Sequence, residues 1–337
     1  MEVRRINWFL PVFLISYVVL SAAAGILIGV LTAMGIALPL WILYVVGEAV
    51  TIVIALVYIL VSRISIRKDM QYKLIGIKDV IMSVLTGYLF IPLVLFLNNI
   101  TMLFSNNYVK DSAQGLSAFP YPVQVILIAV IPPLVEEFVF RGLFYGAYRK
   151  HGVLKAAVMS GIIFGIFHLN INQFAYAFAI GIIFAYMVEA TGSIWSSVCA
   201  HFAINTFSIT VIQILKLCGA YELASQTETS QLAVDSVGTR LAGIVMMFVL
   251  AVVFTALAVL CIRNMAKRHG RLDILKNSFK RTSDYAYEET ADKEASDEAV
   301  SDSRKVSSTD NGHIVTIPAV VTIIASIAYM IIMELMN

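Results

Sequence analysis

Charge is scarce in this chain. Asp, Glu, Lys and Arg make up 14% of its 337 residues, against about 25% in a soluble domain. With a net charge of only +2, the chain lacks both the composition of a soluble globular enzyme and the basic excess of a nucleic-acid-binding protein. Cysteine is scarce too. Cys199, Cys218 and Cys261 are an odd set at different depths, which excludes a disulfide framework and leaves ordinary packing as their role. No internal repeat is visible, and a transporter built from repeated halves would carry one. The His-Glu-x-x-His helix of soluble zinc proteases is absent as well. A cleavable leader is also not expected. The apolar stretch after Arg4 and Arg5 runs about 28 residues, past the roughly 7–15 of an h-region, so it reads as an uncleaved first span.

Long apolar runs fill the space that charge leaves; 59% of the residues are hydrophobic. About nine runs are long enough to cross some 30 Å of hydrocarbon: 8–33, 39–61, 80–104, 122–148, 153–169, 173–188, 194–215, 241–262 and 314–335, the sixth being the shortest. The fold class that follows is all-α, a polytopic transmembrane helical bundle, because only helices and closed barrels satisfy the backbone in lipid. With the N-terminus in the cytoplasm, every Lys and Arg except Lys110, Lys216, Arg240 and the intraspan Arg141 falls on the cytoplasmic side. The positive-inside rule therefore predicts N-in, C-out, in the cell membrane. Four regions are expected: a helix pair with a basic loop (1–79), a catalytic bundle (80–262) with its core at 120–215, a cytoplasmic loop (263–313) and a last helix (314–337). The loop runs from basic to acidic with few apolar residues, which predicts disorder and a tethering role. Gly161 and Gly165 at small-xxx-small spacing, with Gly181 on the next helix, predict close helix contact.

Three spans carry groups that hydrocarbon should exclude. The fourth holds Glu136, Glu137 and Arg141, the fifth His168, and the seventh His201 and Asn205. An ionisable group at membrane depth costs about 2.5–3.5 kcal/mol on insertion scales. Acid, base and amide together predict a catalytic site inside the membrane. Pro132 and Pro133 strip backbone donors from the carbonyls near residues 128 and 129 and predict a loosened turn before Glu136. Glu137 and Arg141 are spaced i,i+4 and pair, which leaves Glu136 for other work. The set suits water attack on an amide, with a carboxylate and an imidazole activating water directly or through a metal. His201 and Asn205, one turn apart, could stabilise an oxyanion. Glu136, His168 and His201 could instead bind a divalent metal, zinc by ligand type. Glu48 in the second span either pairs inside the bundle or faces the site. Asn98 and Asn99 read as interhelical hydrogen bonding.

Glu136-Glu137-x-x-x-Arg141, Phe164-x-x-x-His168 and His201-x-x-x-Asn205 resemble the three motifs of the CAAX prenyl protease and bacteriocin-processing (CPBP) family of intramembrane endopeptidases. Pro132 and Thr191-Gly-Ser-Ile-Trp195 fit the same pattern, and the resemblance covers about residues 120–215. It implies a helical-bundle endopeptidase with Glu136 as the water-activating base. His168 would be its partner or a metal ligand, and His201 and Asn205 the remaining ligand or oxyanion group. The family is described as metal-dependent, and a metal-free glutamate mechanism has been proposed for it; both stay open here. The implied partners are the bilayer and a membrane-associated peptide or protein. An ion or solute path through Glu136, Glu137 and the two His residues is the rival from another class, and an idle membrane scaffold or immunity protein is the second.

The motifs carry one geometric problem. At about 1.5 Å per residue, His201, Glu136 and His168 lie roughly 12, 18 and 22 Å from their cytoplasmic helix ends. Straight helices would spread the site over about 10 Å. Tilt, the proline break, or a start of the fifth helix near Lys155 must close that gap.

Overall fold

The computed structural model describes residues 2–36, 38–39, 41–105, 116, 119–220, 237–279 and 314–336. These residues are helical throughout their ordered elements, and the chain is an integral multi-pass membrane protein. The helices are α1 (Val3–Ala33), α2 (Trp41–Ser62), α3 (Ile77–Thr101), α4 (Tyr121–His151), α5 (Val153–Phe167), α6 (Ile171–Thr191), α7 (Ile194–Leu217), α8 (Val237–Arg268) and α9 (Ile317–Met336). Eight of them are long and apolar enough to span a bilayer, and α5, with 15 residues, is the short one.

The short helix is thus not the expected sixth, which runs 21 residues as α6. The reason lies in the turn between α5 and α6. Leu169 sits at φ 53°, and the extended Asn170 accepts a hydrogen bond from the Gln173 amide. That cap starts α6 early and stops α5 at Phe167. At the other end of α6, Gly192 takes φ 70°, a conformation that costs glycine nothing, and Ser193 caps α7 through the Trp195 amide.

α4, α5, α6 and α7 form the middle of the bundle. α1 and α2 pack on one side and α3 and α8 on the other, while α9 lies against α1 and α5. Phe13, Phe140, Phe144, Phe164 and Phe167 interlock where α1, α4 and α5 meet. The outer faces of α1, α2, α8 and α9 expose Ile26, Leu60, Met246 and Leu335 among many others, a continuous apolar surface that only lipid would cover.

One end of the bundle gathers the charged contacts. Asn7 donates to the Ile314 carbonyl and accepts from Tyr148. Asp79 meets Arg268 and His269. Buried Glu189 is held by Arg149, Tyr145 and Arg271. The stretch after residue 262, expected to be disordered, begins otherwise. α8 stays helical to Arg268, and a short helix, Leu272–Lys276, then folds against the bundle through Arg271 and Ser278. The rest of that loop lies outside the described residues. At the opposite end, Asn98 accepts from Asn172, the interhelical bond expected of it. Cys199, Cys218 and Cys261 are free thiols.

Candidate active site

α4 carries the acids, and it is not a regular helix. Val125–Val130 and Phe138–Tyr145 are π-helical, flanking the α-turn Ile131–Glu137. Widened turns of this kind arise where the i→i−4 ladder is interrupted, often at functional sites. The interruption here is Pro132, which has no N–H for the Ile128 carbonyl. That carbonyl accepts instead from the Asn205 side chain, 2.9 Å away on α7. Asn205 therefore closes the gap that the proline opens, and it ties α4 to α7 one helical turn from His201.

His201 lies between the two glutamates. Its Nδ1 is 3.1 Å from Glu137 Oε1, and its Nε2 is 3.7 Å from Glu136 Oε2. Glu137 in turn stands 3.1 Å from Arg141 Nη1. That approach is a charge contact without hydrogen-bond geometry, and the Arg141 nitrogens have no other hydrogen-bond partner among the described residues. The guanidinium is covered by rings instead, 4.3 Å from the Phe164 centroid and 5.1 Å from that of Phe184. Glu137 and Arg141 are fully buried, and Glu136 is nearly so. A carboxylate can only accept, so His201 donates Nδ1–H to Glu137, and its Nε2 faces Glu136 beyond direct hydrogen-bond distance.

His168 sits apart from this chain of contacts. As the C-cap of α5 it donates Nδ1–H to the Phe164 carbonyl at 2.9 Å. The Phe164 ring stands between the two imidazoles, 5.0 Å from His168 and 5.9 Å from His201. Of the six residues singled out in the sequence, Glu136, Glu137, Arg141 and His201 form one connected set. Asn205 supports that set through the backbone, and His168 faces it across one ring. A late start of α5 does not resolve the depth problem, since α5 begins at Val153.

No group of three or more His, Cys, Asp or Glu side chains among the described residues is arranged to hold a metal ion. Glu136, His168 and His201, the candidate ligands, do not converge as a three-ligand set in this arrangement.

Sequence reasoning left two features out of the site. The first is the rest of the surround of Glu136: Tyr17 of α1 and Tyr176 of α6 interact electrostatically with it, as does Glu48 of α2, for which facing the site was one of two expectations. Only tertiary packing brings these helices together, and the odd charge in α2 was the one signal. The second is Glu189, whose partners Arg149 and Arg271 are 40 and 82 residues away in sequence.

Comparison with known proteins places all six motif residues in one matched segment. Residues 118–207 match the family model for the Rce1-like type II CAAX prenyl endopeptidases. A stretch of 89 residues is 34% identical to a Bacillus subtilis (strain 168) protein named "Putative membrane peptidase YdiL". It covers 26% of this chain and 36% of that protein, so the chain matches about a third of its curated relative's length. No solved structure matches the chain.

Proposed function

We propose, from the type II CAAX prenyl endopeptidase pattern that residues 118–207 carry, that this chain is an intramembrane endopeptidase acting on a membrane-associated peptide or protein. The observation that supports it best is the series Arg141–Glu137–His201–Glu136, assembled from two helices inside an apolar bundle. Each member suits one task. Arg141 supplies the counter-charge for Glu137 in a place where an unpaired carboxylate would be costly. Glu137 fixes the His201 tautomer. Glu136 Oε2 and His201 Nε2, 3.7 Å apart, can both contact one water oxygen at about 2.8 Å.

In this reading Glu136 takes a proton from that water as its oxygen attacks the scissile carbonyl carbon. His201 Nε2 stands on the other side of that water and restricts the attacking geometry. The tetrahedral oxyanion then collapses, and the C–N bond breaks. The proton held on Glu136 passes to the departing nitrogen, which leaves a carboxylate and an amine. Asn205, already engaged with the Ile128 carbonyl, holds the proline-broken turn that presents Glu136. In the neutral His168 ring, whose Nδ1–H is spent on Phe164, Nε2 is an acceptor and a second station for a proton. A CAAX-type prenylated peptide is the substrate class to try first, and the basic end of the bundle supports a cytoplasmic site of cleavage.

The test uses the purified full-length chain in liposomes with a farnesylated CAAX peptide. Glu136→Gln keeps the shape and removes the base, so turnover is expected to fall by about 10²–10⁴-fold with unchanged thermal unfolding. Equal turnover by the variant and the wild type would end the assignment. Elemental analysis of the same active protein separates direct activation from a metal-assisted route. Full activity far below one metal per chain supports the route described, and a stoichiometric ion whose removal stops turnover overturns it.

A further inference from the structure

Glu48 stands on α2, outside the matched segment. α2 packs against the α4 turn that carries the glutamates, and the Glu48 and Glu136 carboxylates interact through space. Glu48 Oε2 is buried and has no hydrogen-bond partner among the described residues. A buried carboxylate oxygen without a hydrogen-bond partner carries a desolvation cost. Facing another carboxylate adds repulsion to that cost. Neither fits a packing role, which an apolar side chain would fill better.

The surrounding groups narrow the explanation. Tyr17 from α1, Glu48 from α2, Glu137 and Arg141 from its own helix and Tyr176 from α6 act electrostatically on or with Glu136, and His201 from α7 stands 3.7 Å from it. The two cationic candidates, Arg141 and His201, are both in contact with Glu137. The Tyr17 hydroxyl reaches α2 beside Gly47, so this corner is polar on three sides. A water there would find at least two partners, which is what an ordered buried water needs.

We propose that Glu48 is a positioning residue for the hydrolysis set out above: its Oε2 and Glu136 together hold the attacking water. The geometry of a water bound by two acceptors explains why this helps. One O–H points at Glu136, which removes that proton; the other points at Glu48, which only accepts a hydrogen bond and leaves the step unchanged. Both hydrogens are then directed into the protein, and an oxygen lone pair is left to face the carbonyl carbon. Such orientation converts a mobile solvent molecule into an aligned nucleophile. The inference rests on the peptidase reading.

The test compares Glu48→Leu and Glu48→Gln with the wild type and Glu136→Gln, using the farnesylated CAAX peptide in liposomes. Glu48→Leu is expected to lower kcat by about 10–100-fold with KM within about twofold, since water is misaligned and substrate contacts are kept. Glu48→Gln retains a carbonyl acceptor and is expected to recover most of kcat. Wild-type kcat in Glu48→Leu, or equal losses in the two variants, would overturn the proposal while cleavage by the wild type upheld the peptidase reading. No cleavage even by the wild type would defeat that reading and this role with it. A second measurement is independent of turnover. In a background with Cys199, Cys218 and Cys261 replaced, Glu48→Cys and Glu136→Cys are each labelled with a charged methanethiosulfonate, which needs water at the thiol. Both are expected to react, and Ile15→Cys on the lipid-facing surface is not. An unreactive Glu48→Cys beside a reactive Glu136→Cys would also overturn the shared water.

Discussion

Adjacent glutamates on one helix point about 100° apart, and that angle separates the work of Glu136 from that of Glu137. Glu137 is turned into the bundle against Arg141 and His201, while Glu136 keeps an oxygen toward His201 Nε2. The pairing of Glu137 with Arg141 was legible in the i,i+4 spacing alone. Which histidine stands beside Glu136 was not. The motif order suggests His168, but at the C-cap of α5 its Nδ1 meets a backbone carbonyl within its own turn. Local hydrogen bonding of that kind is decided by where a helix stops, and the stop is set by Asn170 two residues further on. Arg141 yields a sharp prediction. Among the described residues its charge is compensated chiefly by Glu137, with Glu136 acting as well and two ring faces covering it, so Arg141→Ala takes the cation from a fully buried carboxylate. The expected loss is about 3–5 kcal/mol, read as a large drop in the unfolding midpoint in detergent. Glu136→Gln, in contrast, should leave that midpoint where it is. Comparable midpoints for Arg141→Ala and wild type would mean that Glu137 is neutral or has another partner.

A proline pair inside a membrane helix predicts a break, and the break is present; its repair and its shape are what tertiary structure adds. The freed Ile128 carbonyl finds Asn205, and the turns on either side widen to π geometry, for which sequence has no comparable signature. Asn205→Leu removes the side-chain donor that this carbonyl has among the described residues and leaves the acceptor without it. A loss of about 1–3 kcal/mol is expected, with turnover falling because the α4 turn carrying Glu136 relaxes. Unchanged stability would show that Asn205 serves the reaction alone. The glycines on α5 and α6 were legible as a contact motif, and the contact is tight. A Cβ on Gly181 would sit 2.7 Å from Gly161 Cα and 3.3 Å from Arg141 Nη2. Backbone cannot yield there as a flexible side-chain tip could, so α5 and α6 must part. Gly181→Ala is expected to cost about 1–3 kcal/mol, the range of overpacked cores. Its activity should fall as well, through displacement of Arg141. A variant as stable and active as wild type would mean that the two helices slide freely at this crossing.

Across the whole molecule, the alternation of spans was readable from apolar run lengths because hydrocarbon thickness imposes them. The structure agrees by a separate route: contacts of the start of α1, the end of α4, the end of α6, the start of α3, the end of α8 and the start of α9 all fall at one end of the bundle. Arg149, Arg268 and Arg271 are at that end, each against a buried carboxylate. Two consequences were not legible. The segment after α8 folds back as a short helix because Arg271 finds Glu189, a pairing that no local pattern announces. The same network also anchors α6, which presses Phe184 onto Arg141, so the charged end and the site share one helix. Which face of the membrane this end occupies follows from charge. Translocating Arg and Lys costs more than retaining them, and the bias is strong near span ends. The basic end is therefore expected in the cytoplasm, with the last span leaving the C-terminus outside. Fusing alkaline phosphatase or a green fluorescent reporter to the C-terminus tests it, since the first is active only after export and the second fluoresces only when folded inside. An active phosphatase with a dark fluorescent fusion is the expected pair. The reverse would turn the bundle over, and Glu136 would then open toward substrates on the outer face.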